Sequence, residues 1–507
     1  MAGKLRELVT GVLALEPGAD AIEFGRTWTT WGQLAKGMSD LAGILAANGL
    51  GDGARVGVMM RNRPAFLSAL FEIVTTSRCL VTLNPVYPDE RVSADIVKAA
   101  VPIVVGDGED WGRATLRDAA AEIGAVMVQA DYGQDGAIAF REIQAPKREL
   151  WSKPFAEGVA IEMLTSGTTG PPKRVPLAAS KFERSMLDFA LFEKGREDLQ
   201  PKLRSGVSLL SQSLAHIGGV GGALNTVMAG RKANLQERFT VAAFHDVVVR
   251  HRPKVAGGPP AVLRMILDAN IPKEDLSSLV VFRSGTAPLD PALAAEFTAR
   301  YGIPVLQNYG ATEFAGGVAG WTNADHQKYG KEKAGSVGRL NPGVNGRVVD
   351  PETGEPKTPG EVGVLELRAE HLGDGKNWLR TTDLAIVDAD NFLFIKGRSD
   401  NAINRGGYKV SPDEVVRALE AHEAVHEASV VGIPDPRLGQ VPVAALIAKP
   451  GASPVADAEL NGFLRRSLSP YQIPVEFRWV EELPRTVSLK VDQGRVKELF
   501  APRGATA

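Results

Sequence analysis

The sequence lacks the features that mark several large protein classes. Its 507 residues contain a single cysteine, Cys79, which excludes a disulfide framework and a cysteine-based metal site and favours a reduced, cytoplasmic setting. No run reaches the ~18 apolar residues of a membrane-spanning helix. Lys and Arg number 58 against 60 Asp and Glu, and the net charge of -2 gives no electrostatic reason to expect nucleic acid or an anionic membrane as a partner. Residues 1–20 predict an amphipathic helix and not a signal peptide, because charged and polar residues interrupt their apolar run.

Strand and helix patterns alternate through the first part of the chain. Residues 54–60 and 79–85 predict strands, and residues 64–77 and 89–100 predict helices. The same alternation returns over residues 206–300. Because a helix between two strands favours their parallel pairing, this pattern predicts an α/β fold with two α/β layers.

The pattern changes in the last third of the chain. From about residue 334, short strands and many turn residues predict a small β unit, and beyond about residue 400 the pattern is α+β. We therefore place a domain boundary near Asp400, which divides the chain into residues 1–399 and residues 400–507.

Two short motifs in the last hundred residues invite a local interpretation. Residues 411–414, Ser-Pro-Asp-Glu, predict a capping box with proline at the first helical position. Residues 422–426, HEAVH, match the H-E-x-x-H pattern of zinc proteases, which needs one continuous helix. Because a helix is expected to end and a strand to begin within this segment, we predict that it binds no metal.

The most unusual stretch is MLTSGTTGPPKR, residues 163–174. It does not match the Walker pattern, since Lys173 follows a proline and Arg174 stands where serine or threonine is required. The residues after it predict a strand, so the loop should lie between two strands. Glycine backbones that allow close approach, several hydroxyls and one cation still favour phosphate binding, and a solvated turn is the alternative.

This loop resembles the phosphate-binding loop of the adenylate-forming superfamily, which includes acyl-CoA synthetases, luciferases and adenylation domains. The chain looks most similar to aryl- or fatty-acyl-CoA ligases within it. Five further motifs follow in the family's order: SGTAPLD (284–290), NYGATE (308–313), WLRTTD (378–383), FIKGRSDNAINRGGYKVSP (394–412) and LPRTVSLK (483–490). The resemblance extends over about residues 20–500. It implies a large N-terminal domain of two stacked α/β sheet subdomains plus a small β-barrel, followed by a smaller, mobile α+β C-terminal domain.

The reaction that this resemblance implies is ATP-dependent ligation of a carboxylic acid to coenzyme A. An acyl-AMP would form with release of pyrophosphate, and an acyl-CoA thioester would follow with release of AMP. ATP, Mg²⁺ and coenzyme A are the implied cofactors, and a homodimer is compatible with the family. Two alternatives remain open, namely transfer of the acyl group to a carrier-protein pantetheine and a catalytically inactive nucleotide-binding homologue. The presence of both Lys490 and Glu313 argues against the inactive homologue.

The resemblance assigns roles to individual residues. Lys490 would bridge the attacking carboxylate and the α-phosphate, Glu313 would hold Mg²⁺, and Asp383 would accept hydrogen bonds from the ribose hydroxyls. Tyr309 would stack on adenine. The implied ATP-binding residues are Thr165, Ser166, Gly167, Thr168, Thr169, Gly170, Lys173, Gly285, Thr286, Ala287, Asn308, Tyr309, Gly310, Thr312, Asp383 and Arg398.

The acyl group is expected to lie beside His216, which resembles the histidine that faces the acyl carbonyl. A histidine packed in a core is the alternative. Residues 212–224 contain no acidic residue that would pair with an amine, and this argues against an amino-acid substrate and for an aromatic or fatty acid. The implied acyl pocket is His216, Gly218, Gly219, Gly310, Phe314, Ala315 and Gly316.

The second half-reaction would use a rotated C-terminal domain. Asp400 is the implied hinge, and Gly406 and Gly407 would line the pantetheine tunnel, although a glycine pair is also typical of a tight turn. Three residues depart from the family pattern, since Arg174, Thr382 and Leu489 each stand where the family has glycine.

Overall fold

The computed structural model describes residues 3–165, 173–191, 199–399, 401–406, 408–486 and 489–501. The strands, numbered in chain order, are β1 Asp20–Phe24, β2 Thr27–Thr30, β3 Arg55–Met59, β4 Cys79–Leu83, β5 Ile103–Gly106, β6 Val126–Tyr132, β7 Ile138–Gln144, β8 Val159–Thr165, β9 Lys173–Ala178, β10 Arg204–Leu210, β11 Arg231–Leu235, β12 Val255–Gly258, β13 Val281–Ser284, β14 Val305–Ala311, β15 Gly316–Gly320, β16 Arg339–Leu340, β17 Asn345–Val349, β18 Gly363–Arg368, β19 Leu379–Val387, β20 Leu393–Arg398, β21 Ile403–Arg405, β22 Tyr408–Val410, β23 Val425–Asp435, β24 Gly439–Ala448 and β25 Phe477–Trp479. The helices are α1 Lys4–Leu15, α2 Trp31–Ala47, α3 Pro64–Thr75, α4 Asp89–Ala99, α5 Gly108–Gly112, α6 Ala114–Glu122, α7 Ala179–Leu191, α8 Ile217–Met228, α9 Val241–His251, α10 Pro260–Asp268, α11 Pro291–Tyr301, α12 Asn323–Tyr329, α13 Pro412–Glu420, α14 Asp457–Leu464 and α15 Gln493–Leu499, with 3-10 turns at Arg148–Leu150 and Thr312–Phe314.

The first sheet has seven strands in the order β7-β6-β5-β3-β4-β8-β9. Its inner strands are parallel, and β7 and β9 join its two edges in the antiparallel sense. Strands β3, β4 and β5 are buried along their whole length, as expected for parallel strands covered on both faces. Helix α3 is buried at all 12 of its positions. The hairpin of β8 and β9 therefore extends from the edge of a rigid layer.

Two further sheets build the second layer. One has the order β10-β11-β1-β2, and the other has the order β12-β13-β14-β15-β16. Strand β1 pairs in parallel with β11, with Ile22 opposite Ala233, so the start of the chain is built into this layer. In the other sheet β12, β13 and β14 are parallel, and β15 returns antiparallel to β14. These layers confirm the α/β class predicted from the alternating patterns.

The small β unit is an antiparallel sheet in the order β17-β18-β19-β20. It shares a core with β15 and β16, to which Val318, Leu340, Leu365 and Leu393 contribute. The C-terminal domain follows, with a sheet in the order β22-β21-β24-β23 and with β25 added in parallel to β24. Its helices α13 and α14 pack on one core around Leu419. A large N-terminal domain is thus joined to a small α+β domain, as expected.

One local prediction in the C-terminal domain is wrong. Pro412 does occupy the first turn of α13, but Ser411 makes no side-chain capping hydrogen bond. The partner expected to complete the capping box, Glu414, instead accepts a hydrogen bond from Gln472 Nε2 at 2.7 Å. A contact between residues distant in sequence has replaced the local one.

The HEAVH segment is interrupted where the helix was predicted to end and the strand to begin. Helix α13 ends at Glu420 and β23 begins at Val425, so the two histidines do not share a helix. His422 and His426 lie near different carboxylates, those of Glu459 and Asp268. No cluster suited to a metal occurs among the residues that the structure describes. Within the same residues, no helix combines the length and the apolar character needed to cross a bilayer.

Candidate functional site

The phosphate-loop motif lies between two antiparallel strands, as predicted. Strand β8 ends at Thr165 and β9 begins at Lys173, and these two residues are opposite each other in the ladder. Residues 166–170 of the motif, Ser166, Gly167, Thr168, Thr169 and Gly170, lie outside the described residues. Lys173 is exposed at the end of the hairpin, at the carboxyl end of β8, which is the edge of a parallel sheet where ligands commonly bind.

Arg174 anchors this hairpin to the rest of the first sheet. Its guanidinium lies 2.6 Å from Asp95 of α4 and donates to the carbonyl oxygens of Thr82 and Glu162 at 3.1 and 3.3 Å. The parallel ladder between β4 and β8 ends at Glu162, so Arg174 bridges the two strands where they separate. Sequence reasoning noted Arg174 only as a departure from the family pattern, because its partners are remote in sequence.

The predicted ribose residues lie together on neighbouring strands. Asp383 of β19 and Arg398 of β20 are directly opposite each other. Tyr309 Oη donates a hydrogen bond to Asp383 Oδ2 at 2.5 Å, and burial together with the Asp383 charge raises the pKa of Tyr309. Arg398 Nη2 donates to Thr382 Oγ1 at 2.6 Å. Thr382, which stands where the family has glycine, is therefore a hydrogen-bond partner of Arg398, the arginine that the resemblance places at the ribose.

The adenine-side loop approaches the tyrosine motif closely. A Cβ atom placed on Gly285 would lie 2.4 Å from Asn308 Oδ1, so a larger residue at this position would displace the exposed side chain of Asn308. Thr286 follows with φ +69°, in the left-handed region that threonine rarely adopts. Strained backbone of this kind is often found at ligand sites. The shape of this corner, with Ala287 partly exposed beside it, fits a flat group approaching the backbone.

Lys490 and His216 lie within electrostatic range of each other, although they belong to different domains. His216 is the N-cap residue of α8 and makes no side-chain capping hydrogen bond, and burial together with the Lys490 cation lowers its pKa from 6.5 to about 4. Burial and the Arg398 cation lower the pKa of Lys490. In the described part of the chain no carboxylate offsets this charge on Lys490. Two cations held near a neutral imidazole in a half-buried site form a place suited to an anion.

The predicted acyl residues lie in two places, the first turn of α8, which holds Gly218 and Gly219, and the junction of β14 and β15, which holds Gly310, Phe314, Ala315 and Gly316. The backbone is tightly packed at Gly219, where a Cβ atom would lie 2.2 Å from Ser213 O, and at Gly310, where it would lie 2.2 Å from Gly316 O. A Cβ on Gly218 would lie 2.6 Å from Gln212 Oε1. Phe314 and Ala315 are buried, and Ala315 accepts a hydrogen bond from Ser185 Oγ at 3.0 Å.

Met186 is a residue of this region that the sequence did not reveal. It is 3% exposed on α7. Its Cε atom would lie 3.8 Å from a Cβ placed on Gly221 and 3.9 Å from one placed on Gly316. One methionine therefore spans the space that two glycines leave open, less than two turns of helix α8 beyond His216.

Glu313, the predicted Mg²⁺ ligand, is exposed in the 3-10 turn Thr312–Phe314. Its charge contributes to the raised pKa of Tyr309, so its carboxylate lies within electrostatic range of the Tyr309 hydroxyl. A single carboxylate fits a Mg²⁺ ion that takes most of its other ligands from substrate phosphates and water. Thr312 lies beside it at the N-terminus of the turn.

Two neighbouring cavities lie between the surface along α4 and His216. The larger has a volume of about 790 Å³ and runs along α4, where Arg91, Lys98 and Lys153 contribute positive charge to its lining. The smaller is lined by His216 and five other residues. Both are lined by Asn84, Tyr87 and Leu164, so the smaller cavity continues the larger one towards His216.

Of the residues predicted to act in the second half-reaction, the structure describes only Gly406. Asp400 and Gly407 lie outside the described residues. Gly406 lies in the turn between β21 and β22 with φ +58°, and a Cβ atom placed on it would be 3.1 Å from Leu438 of the same domain. The arrangement of the domains thus brings Lys490, and not Gly406, to His216.

Comparison with known protein families agrees with this geometry. Residues 12–375 match the family described as AMP-binding enzyme, and residues 414–490 match the AMP-binding enzyme C-terminal domain. The structure is also similar to ATP-bound MatB from Rhodopseudomonas palustris, with a TM-score of 0.81, 24% identity, and coverage of 98% of this chain and 99% of that chain. At this level of identity the similarity supports the fold.

Two curated relatives extend the comparison to activity. The sulfoacetate–CoA ligase of Cupriavidus necator is 31% identical over 486 residues, which cover 92% of this chain and 91% of that protein. The feruloyl-CoA synthase of an Amycolatopsis species is 29% identical over 506 residues, which cover 96% and 97%. The chain belongs to the AMP-binding enzyme family, within the adenylate-forming superfamily, and it is an ATP-dependent carboxylic acid–CoA ligase that works through an acyl-AMP.

Proposed function

We propose that Lys490 promotes the attack of a substrate carboxylate on the α-phosphorus of ATP beside His216. A carboxylate oxygen forms the new bond to phosphorus, and the bond to the bridging oxygen breaks, so that pyrophosphate leaves with the electron pair. The observation that carries this assignment is the placement of Lys490, with no offsetting carboxylate among the described residues, within electrostatic range of His216 and Arg398. Two anions must approach each other in this step, and a fixed cation between them stabilises the charge that they share.

The nucleotide is proposed to occupy the corner between the two layers. Asp383 accepts hydrogen bonds from the ribose hydroxyls, Tyr309 stacks on adenine and Gly285 allows the base to approach the backbone. Glu313 would hold the Mg²⁺ that screens the phosphate charge. The pairing of Asp383 with Arg398 on adjacent strands supports this placement.

The acid is proposed to be compact, either aromatic or a short-chain fatty acid. Apolar and glycine residues surround the start of α8, and His216 stays neutral at pH 7 because its pKa is about 4. Met186 limits the depth of this region where it approaches Gly221 and Gly316. With a helical rise of about 1.5 Å per residue, Gly221 lies only about 7.5 Å beyond His216 along α8, roughly the length of a benzoate.

Coenzyme A is proposed to enter through the cavity along α4. Its pantetheine arm would pass Asn84 and Leu164 towards His216, and its phosphates would meet Arg91 and Lys98. These two cations are seven residues apart on α4, which corresponds to about 10 Å. In this half-reaction the thiol loses its proton, sulfur bonds to the acyl carbon and AMP leaves.

The C-terminal domain is proposed to begin at Asp400 and to rotate there between the two half-reactions. The last strand of the N-terminal domain ends at Arg398, and the first strand of the next sheet begins at Ile403. Ser399 is held to the N-terminal domain by two hydrogen bonds to Thr382 O, at 2.8 and 2.9 Å. These contacts support a boundary directly after residue 399.

The decisive experiment measures pyrophosphate release from Mg-ATP with a panel of acids, each with and without coenzyme A. The panel contains benzoate, ferulate, butyrate, hexanoate, palmitate and sulfoacetate. We expect release with aromatic or short-chain acids, continuous turnover only with coenzyme A, and formation of the matching acyl-CoA.

The other outcomes separate the alternatives. A single burst of pyrophosphate that coenzyme A does not convert into turnover would indicate a carrier-protein acceptor. Turnover with palmitate alone would contradict the compact pocket. Release with none of the acids, together with tight binding of ATP, would contradict the assigned substrate class.

A further inference from the structure

Leu489, the residue before the catalytic lysine, has an unfavourable backbone conformation. Its φ angle is +60°, in the left-handed region that glycine adopts freely and that a residue with a large side chain adopts at a cost in free energy. The superfamily motif that residues 483–490 resemble has glycine at this position. The chain thus keeps the backbone shape of glycine while carrying a leucine side chain.

The side chain of Leu489 packs against the other domain. It is partly buried against the hydrophobic cluster of the N-terminal domain that contains Phe244, Phe282 and Phe297. Leu209 and Leu289 border the same cluster. An apolar contact across the domain boundary therefore offsets the cost of the backbone conformation while the two domains keep this arrangement.

The turn that presents Lys490 is fixed at its other end to the C-terminal domain. Leu489 N donates to Thr486 O at 2.9 Å, and Thr486 N donates to Lys490 O at 2.7 Å. Arg485 Nη1 donates to Leu489 O at 3.0 Å, and Arg485 Nη2 donates to both carboxylate oxygens of Glu427 at 2.7 and 2.6 Å. Leu489 is thus the residue through which a turn anchored in one domain contacts the other.

We propose that Leu489 is a positioning residue that latches the Lys490 turn to the N-terminal domain for acyl-AMP formation. The proposal rests on the function proposed above, in which Lys490 acts in the first half-reaction and then withdraws. When the C-terminal domain rotates, Leu489 loses its apolar contact. Nothing else then offsets the free-energy cost of its left-handed backbone conformation. The leucine therefore biases the two domains towards the arrangement that forms acyl-AMP, at the expense of the arrangement that forms the thioester.

Two substitutions and two half-reactions test the latch. Leu489→Gly removes the apolar contact and the backbone cost together, whereas Leu489→Met keeps an apolar side chain of similar size. The first half-reaction is measured as single-turnover acyl-AMP formation, and the second as thioester formation from supplied acyl-AMP and coenzyme A. We expect Leu489→Gly to slow the first about tenfold and to leave the second unchanged or faster. Leu489→Met should stay within about twofold of the unaltered protein in both.

Val475 supplies the matched control, because it is an exposed apolar residue of the same C-terminal domain. Val475→Ala should change neither rate, and the melting temperature of each variant shows that it is folded. An unchanged first half-reaction in Leu489→Gly, or an equal fall in both half-reactions, would overturn the latch. If the unaltered protein forms acyl-AMP with none of the acids, the proposed function fails, and the latch fails with it.

Discussion

Tyr309 Oη donates a hydrogen bond to Asp383 Oδ2 at 2.5 Å, which joins the tyrosine of one nucleotide motif to the aspartate of another. The two residues are 74 positions apart in the sequence, on β14 and β19. The bond leaves the second carboxylate oxygen of Asp383 for other donors. The bond also fixes the orientation of the Asp383 carboxylate, which we propose to bind the ribose. Tyr309 and Asp383 should therefore contribute unequally to nucleotide affinity.

Asp383→Asn should weaken ATP binding more than Tyr309→Phe does. The asparagine loses the negative charge that strengthens hydrogen bonds to the ribose, which corresponds to a loss of about tenfold in affinity or more. The phenylalanine keeps a ring that can stack on adenine and loses only one hydrogen bond, so we expect a change of about threefold. Titration calorimetry with Mg-ATP measures both variants. Equal losses of affinity would contradict the separate roles of the two residues.

Arg174→Gly should raise the KM for Mg-ATP about tenfold, while the KM for the acid changes little. The reason is that Arg174 fastens the β8–β9 hairpin to Asp95 and to strand β4, and this hairpin carries Lys173. Asp95→Asn should produce a smaller increase, and the double variant should be no worse than Arg174→Gly, because both changes break the same contact. Initial rates of pyrophosphate release give these constants.

The ion pair of Arg113 with Asp89 is the matched control, since it also involves α4 and has a length of 2.6 Å. Arg113→Ala should lower the melting temperature without changing the KM for Mg-ATP. If Arg174→Gly raises the KM for coenzyme A instead, Arg174 supplies positive charge to the cavity along α4 and does not position the hairpin.

His216→Gln should make the protein less sensitive to acid. Burial and the Lys490 cation lower the pKa of His216 from 6.5 to about 4, so between these pH values the unfolded chain binds a proton that the folded protein does not bind. Stability due to His216 is therefore complete above pH 6.5 and decreases as the pH falls towards 4. Melting temperatures measured from pH 7 to pH 4 should fall less steeply in His216→Gln than in the unaltered protein. Parallel curves would show that the histidine titrates normally.

The sequence predicted best what depends on local pattern. The alternating strands and helices, the position of the phosphate-loop motif between two strands and the interruption of HEAVH all follow from periodicity and from turn residues. The resemblance also assigned Asp383 and Arg398 to the same nucleotide, and their opposition on neighbouring strands is compatible with it. The roles of these residues in catalysis stay predictions.

What the sequence could not reveal depends on contacts between remote residues. Glu414 failed to complete a capping box because Gln472, 58 positions away, binds its carboxylate. Arg174 pairs with Asp95 at a separation of 79 positions. The left-handed conformation of Leu489 and its contact with the N-terminal domain required the arrangement of the two domains.

The measurement that tests the account most directly is the pair of half-reactions in Lys490→Ala. Acyl-AMP formation should fall about a hundredfold or more, because the variant loses the cation that stabilises the charge shared by the two reacting anions. Thioester formation from supplied acyl-AMP should stay within about threefold, since the lysine has withdrawn at that stage. Lys497→Ala, which changes a lysine of the nearby helix α15, should leave both rates unaltered. An equal loss in both half-reactions, or no loss in the first, would contradict the role assigned to Lys490.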